Sequence, residues 1–177
     1  MAVDFAILDW VQAHLRCAVL DLVMPWITML GEVGAVWILL ALVLLIRKDT
    51  RPLGVAVAAA LAVDVLLCNV ILKPLVARPR PFALREVALL VPPPGDFSFP
   101  SGHTAASFAA VGALWREKSR LKYPALVLAL AIALSRIYLY VHYPSDVAAG
   151  LVLGLACGFI GSFFAGIWME KCRKRKK

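Results

Sequence analysis

The sequence predicts an all-α fold, a polytopic membrane bundle of about five to six transmembrane helices with an amphipathic helix at the N-terminus. Three observations predict it. Of 177 residues, 62% are hydrophobic and 17% charged, with a mean hydropathy of +0.84, whereas a soluble domain is about half apolar. The apolar residues fall in blocks long enough to cross a bilayer. The Lys and Arg residues stand at the ends of those blocks and in a C-terminal tail, EKCRKRKK, as membrane topology requires. The length suits one membrane-embedded domain over 1–177 and leaves no room for a second globular unit.

The first stretch, 1–16, carries Asp4 and Asp9 and lacks a basic leader, which argues against a cleavable signal peptide. Phe5, Leu8, Trp10, Val11 and Leu15 recur near helical spacing. That pattern suits a helix lying in the membrane interface, or one packed and partly buried. A first span is read over 24–46, with Pro25 early and GAVWILLALVLLI late. After the polar turn RKDTRP, a second span covers 53–72. The connection 73–100 is proline-rich: Pro79 and Pro81 bracket Arg80, and Pro92, Pro93 and Pro94 keep the loop out of a helix. A short third span over 101–115 follows Pro100. REKSRLK then turns the chain into a fourth span, 124–141. YPSD is a tight turn, and Pro144 opens a fifth span, 144–169. Counting 17–30 as a further span would make six. Gly150, Gly154 and Gly158 recur every four residues along the fifth, and we read them as close packing within the chain rather than a dimer face.

The net charge is +8, but the basic residues form no continuous stripe, so nucleic acid is not the expected partner. RKDTR, REKSRLK and the tail 170–177 hold thirteen of the nineteen Lys and Arg residues. The positive-inside bias makes that side cytoplasmic in a plasma (inner) membrane. Arg16, Lys73, Arg78, Arg80, Arg85 and Arg136 then face outside. The four cysteines are scattered without a CxxC or Cys/His cluster, so neither a disulfide framework nor a zinc site is expected.

A set of chemistry-bearing residues is split over three segments. Lys73 and Arg80 lie in KPLVARPRP, Ser101, Gly102 and His103 in PSGH, and Arg136, His142 and Asp146 in SRIYLYVHYPSD. The span assignment brings these segments to one membrane face. Arginine offers a planar fork and lysine a point charge to phosphate oxygens. Taken singly, Lys73 equally suits a snorkelling residue, whereas Arg136 lies inside an apolar run and needs a partner. Ser101-Gly102-His103 opens a helix, where free N–H groups favour an anion and Gly102 permits close approach. Ser101 suits a helix cap, a phosphate contact, or both. One histidine can attack phosphorus while a second donates a proton to the leaving oxygen. Asp146, four residues after His142, suits a group that orients the imidazole, or an acidic helix cap. His14 reads as a surface residue, and Arg78 and Arg85 as solvent or headgroup contacts. Asp64, deep in the second span, reads as a structural hydrogen-bonding group, with Asn69 facing Lys73. Asp21 and Glu32 fall on the outer side without an assigned role.

The linked motifs K-x6-RP, PSGH and SR-x5-H-x3-D, in that order, resemble the type 2 phosphatidic acid phosphatase superfamily over 73–146. That family includes lipid phosphatases, some soluble acid phosphatases and vanadium haloperoxidases. The resemblance implies that Lys73, Arg80 and Arg136 bind phosphate with help from Ser101 and Gly102. It implies that His103 is the general acid and His142 the nucleophile oriented by Asp146. It also implies catalysis without metal or other cofactor. The implied substrate is a lipid phosphate or pyrophosphate reached from the bilayer. Small bacterial members of this pattern look like undecaprenyl-diphosphate phosphatases. Phosphatidylglycerophosphate or phosphatidate hydrolysis, and phosphoryl transfer to another acceptor, fit the same residues. A non-catalytic transporter or scaffold would not need both histidines and Asp146. The loop 82–99 is expected to shape the headgroup pocket.

Overall fold

The computed structural model describes residues 1–174, so the last three residues of the basic tail lie outside the described residues. The regular structure of the described residues is all helical: α1 (Ala2–His14), α2 (Ala18–Leu30), a 3-10 turn (Glu32–Gly34), α3 (Ala35–Ile46), α4 (Arg51–Asp64), a π-helical stretch (Val65–Leu72), α5 (Lys73–Val76), α6 (Pro81–Leu84), α7 (Gly102–Arg116), α8 (Lys122–Tyr138) and α9 (Pro144–Lys174). Prolines stand in the first turns of α4 and α6 and open α9, where their missing N–H sacrifices no helical bond.

Two helical runs are long and apolar enough to cross a membrane, Arg51–Leu84 and Pro144–Cys172. The pair α2 and α3 makes a third if its 43° bend is counted within one span. At 15 and 17 residues, α7 and α8 are shorter than the ~20 residues that a hydrocarbon core of about 30 Å asks for.

The continuous helix expected over 24–46 is not formed. It breaks at Gly31, and the next turn holds Val33 and Gly34 in left-handed backbone, at φ 50° and 71°. A glycine adopts that region freely, but a β-branched valine is held there only by its surroundings. The proline-rich connection also departs from expectation by carrying two single turns of helix, α5 and α6.

The small-residue helix α7 occupies the centre and is buried along most of its length. α9 lies against it glycine to backbone. A Cβ on Gly150 would stand 2.7 Å from the Ser101 carbonyl oxygen, and one on Gly158 2.6 Å from that of Ala109. Gly154 meets the Ala105 carbonyl still more closely, and Gly161 meets Ala60 of α4. The expected internal packing role of these glycines is met. Trp37 of α3 donates to Ser107 Oγ at 2.9 Å, and Ser107 donates to the His103 carbonyl at 2.7 Å, tying α3 to the start of α7.

α1 caps the turn between α8 and α9. Its Phe5 and Leu8 pack on Tyr140 and Tyr143, and Gln12 donates to the Tyr138 carbonyl at 2.8 Å. Its other side exposes Val3, Ile7 and Trp10.

Candidate active site

The end of the π-helical stretch, the start of α7 and the α8–α9 turn meet at one end of the bundle. There they enclose a cavity of about 490 Å³. Lys73, Arg80, Gly102, His103, Arg136 and His142 all line it. The wide turns of the π-helical stretch let Asp64, Asn69 and Lys73 reach the same cavity from one run of chain. A Cβ on Gly102 would lie 3.3 Å from Asn69 Oδ1 and 3.4 Å from Lys73 Nζ, so the absence of a side chain keeps the ammonium open to the cavity.

His142 is buried in the α8–α9 turn, and its two ring nitrogens face different groups. Nε2 points into the cavity, 3.2 Å from Arg80 Nη1. Nδ1 lies 3.5 Å from Asp146 Oδ2 without forming a hydrogen bond. Burial, and then the charges of Arg136, Arg80 and Lys73, hold this imidazole well below the ordinary pKa of 6.5. It is therefore neutral at pH 7, and in the tautomer that carries its proton on Nδ1 the Nε2 lone pair accepts from Arg80 Nη1.

Asp146 sits behind His142, fully buried, and does not line the cavity. Its Oδ2 accepts from Ser98 Oγ at 2.5 Å and from the Tyr143 N–H at 3.0 Å, while Oδ1 pairs with Arg78 Nη1 at 2.5 Å. These three bonds hold the carboxylate in place behind the imidazole.

Ser101 departs from the expected geometry. It occupies the N-cap position of α7, yet its hydroxyl pairs with Thr104 Oγ1 at 3.0 Å and makes no cap bond. It is buried and stands outside the cavity lining. Arg136 finds a partner in Thr28 Oγ1 of α2 at 2.5 Å.

Four further residues belong to this constellation, and single-residue reasoning did not place them. Arg78 is not a solvent contact. It bonds Asp146, Asp4 and Ser145 and stacks over the Tyr143 ring at 3.8 Å. Arg85 is exposed, as expected, and also pairs with Asp9 and covers the Phe5 ring. Asp96 bridges the cations: its carboxylate pairs with Lys73 and, at 2.5 Å, with Arg80 Nη2, and Arg80 Nε donates to its backbone oxygen at 2.8 Å. Partial burial works against the ionised form of Asp96, but the bonds and charges of Lys73 and Arg80 prevail and hold its pKa at about 2. Asp64 lines the cavity, and among the described residues its carboxylate oxygens meet no donor, so the expected structural hydrogen bond is not made. Glu32, the fourth, approaches His103 from the α2–α3 break, with Oε2 3.3 Å from Nε2. The available signals were an acid directly after a run of three prolines and a glycine for Asp96 and a charge between two glycines in an apolar run for Glu32.

The cavity has a charged end and an apolar wall made by Ile38, Leu61, Val65 and Ala106. Ile38 and Val65 are also exposed on the flank of the bundle, 44% and 51% respectively. Such a site can hold an anion at a fixed point while leaving room for an apolar substituent. A neutral imidazole nitrogen and a second imidazole face the same space.

A family model, the PAP2 superfamily, matches residues 51–170. The chain is similar to the undecaprenyl-diphosphatase BcrC of Bacillus subtilis, with 33% identity over 143 residues, covering 81% of this chain and 74% of that protein. It is similar to the decaprenylphosphoryl-5-phosphoribose phosphatase of Mycobacterium tuberculosis, with 40% identity over 145 residues, covering 82% and 80%. Among solved structures, it resembles the transmembrane PAP2 type phosphatidylglycerolphosphate phosphatase from Bacillus subtilis. The TM-score is 0.74 and the identity 29%, over 92% of this chain and 84% of that one.

Proposed function

The chain belongs to the PAP2 superfamily, and we propose that this membrane lipid phosphatase hydrolyses a polyprenyl diphosphate, undecaprenyl diphosphate being the leading substrate, to the monophosphate and phosphate. The observation that carries the reading is the cavity itself: Lys73, Arg80 and Arg136 at one end, and an apolar wall open to the flank through Ile38 and Val65. A lipid can seat its phosphate among the cations while its chain remains in the bilayer. The activities for which the two sequence relatives are named, both on polyprenyl-linked phosphates, support the choice of lipid.

In this mechanism the terminal phosphoryl group displaces the Asp96 carboxylate between Lys73 and Arg80, and Arg136 closes the third side. His142 Nε2 attacks phosphorus in line. The N–P bond forms as the bond from phosphorus to the leaving oxygen breaks, and the departing electron pair takes a proton from His103. Water then attacks the phosphohistidine and gives its proton to His103. The N–P bond breaks and inorganic phosphate leaves. Asp146 holds the His142 ring throughout. Preorganised charge on the phosphoryl oxygens supplies most of the acceleration.

The same reading places the cavity on the outer membrane face, by the positive-inside bias of the loops. It counts α7 and α8 as short spans beside α4 and α9, takes the bent α2–α3 pair as one more, and sets α1 in the interface with Val3, Ile7 and Trp10 toward lipid. A second reading, phosphatidylglycerophosphate hydrolysis, is favoured by the structural likeness to an enzyme of that description.

Purified protein is assayed for phosphate release from undecaprenyl diphosphate, phosphatidylglycerophosphate and phosphatidate. Fastest turnover on the diphosphate, abolished in a folded His142→Ala variant, is expected. Faster turnover on the glycerolipid moves the substrate assignment to phospholipid metabolism. Retained turnover in His142→Ala removes the phosphohistidine step, and no release from any lipid removes the hydrolase reading.

A further inference from the structure

Glu32 lies outside the motifs and outside the segment matched to the family, yet the chain between α2 and α3 is shaped around His103. Gly31 packs on the imidazole so closely that a Cβ there would stand 2.9 Å from Cδ2. The next residue brings its carboxylate to 3.3 Å from Nε2. The two residues after it, Val33 and Gly34, hold left-handed backbone, the break that turns the chain back into α3. A β-branched residue in that region is strained, and such strain persists where the surroundings over-determine it. Gly31, Glu32, Val33 and Gly34 all line the cavity.

We propose that Glu32 is a positioning residue for the general acid: its carboxylate orients the His103 imidazole and favours its protonated form before the leaving oxygen departs. This inference rests on the hydrolase reading above. The charged and titratable groups set against His103 are Arg136 from α8, His142 from the α8–α9 turn, Lys73 at the start of α5 and Arg80 ahead of α6. Asp96 is engaged by Lys73 and Arg80, and Asp64 lies on the deeper wall. Three permanent cations oppose a fourth positive charge, and an acid catalyst must carry one. Glu32 is the carboxylate in contact with the ring, and it is 64% exposed at the cavity mouth. A carboxylate there favours the imidazolium without blocking the phosphate seat. Because it faces water, its influence is of the order that one charge exerts at contact distance in a high dielectric, ~1 pH unit.

The test is the pH profile of kcat/KM for Glu32→Gln and Glu32→Asp, each compared with wild type on two monoesters. Dodecyl phosphate has an alkoxide leaving group that needs a proton, and p-nitrophenyl phosphate has a phenolate that leaves without one. In Glu32→Gln the basic limb is expected to move about one unit lower, because His103 loses its proton earlier. The loss on dodecyl phosphate should be about tenfold and the loss on p-nitrophenyl phosphate within about twofold. Glu32→Asp should recover part of the limb. Equal losses on both esters, or an unmoved basic limb, would overturn the proposal and leave Glu32 a structural residue. Absence of phosphate release by the wild type from both esters and from undecaprenyl diphosphate alike would instead sink the underlying phosphatase reading.

Discussion

Asp96→Asn is predicted to tighten the binding of phosphate. In the substrate-free site the Asp96 carboxylate already bonds Lys73 and Arg80, two of the three cations proposed to clamp the phosphoryl group. An incoming phosphate must displace it. The Asp96 side chain is 51% exposed, so each contact is discounted to the range of an exposed ion pair, up to about 1 kcal/mol. Two of them set the displacement penalty at roughly 1–2 kcal/mol, and ~1.4 kcal/mol is a tenfold change in affinity. Asn keeps the shape and removes the charge. The competitive inhibition constant of inorganic phosphate should therefore fall about tenfold in the variant. The pH dependence adds a second constraint. The pKa of Asp96 is depressed from 3.8 to about 2, so its paired form is fully present above the ordinary value and is lost only as pH falls through about 2. Between about pH 5 and 8 the ratio of the two inhibition constants should stay flat, since both proteins meet the same titrating phosphate. Inhibition that weakens in the variant would refute this reasoning and recast Asp96 as a group that aims the cations at the substrate.

Two other expectations can be checked directly. Phosphate release should be nearly unchanged by excess chelator, because the proposed charge stabilisation comes from Lys73, Arg80 and Arg136; a sharp loss restored by magnesium would contradict it. Gly158→Ala should destabilise the fold by about 1–3 kcal/mol through overpacking, since its Cβ would stand 2.6 Å from the Ala109 carbonyl, whereas Gly166→Ala meets nothing within 4 Å and should leave the thermal midpoint in detergent unchanged.

What the sequence disclosed depended on how each residue reaches the site. Spacing within one helix or turn is fixed by backbone geometry, so His142 and Asp146 could be paired from four residues of separation, and the glycines at 150, 154 and 158 read as one packing face. The convergence of Lys73, His103 and Arg136 followed from counting spans, because each stands near a helix end that topology sends to the same side. Ser101 was legible in position only. A hydroxyl at an N-cap has several partners within reach, and Thr104 took it. Asp96, Arg78 and Glu32 were hidden for a different reason. Their partners lie 23, 68 and 71 residues away, and their positions depend on loop backbone that hydrophobic periodicity does not encode. Glu32 also depends on the break at Gly31, which apolar patterning conceals because hydrophobic residues run on both sides of it. That break is itself informative. An unbroken helix over 24–46 would carry Glu32 along a straight rod. The left-handed turn bends the chain by 43° where Gly31 rests on the imidazole, and so sets an acid beside a histidine that cations otherwise surround.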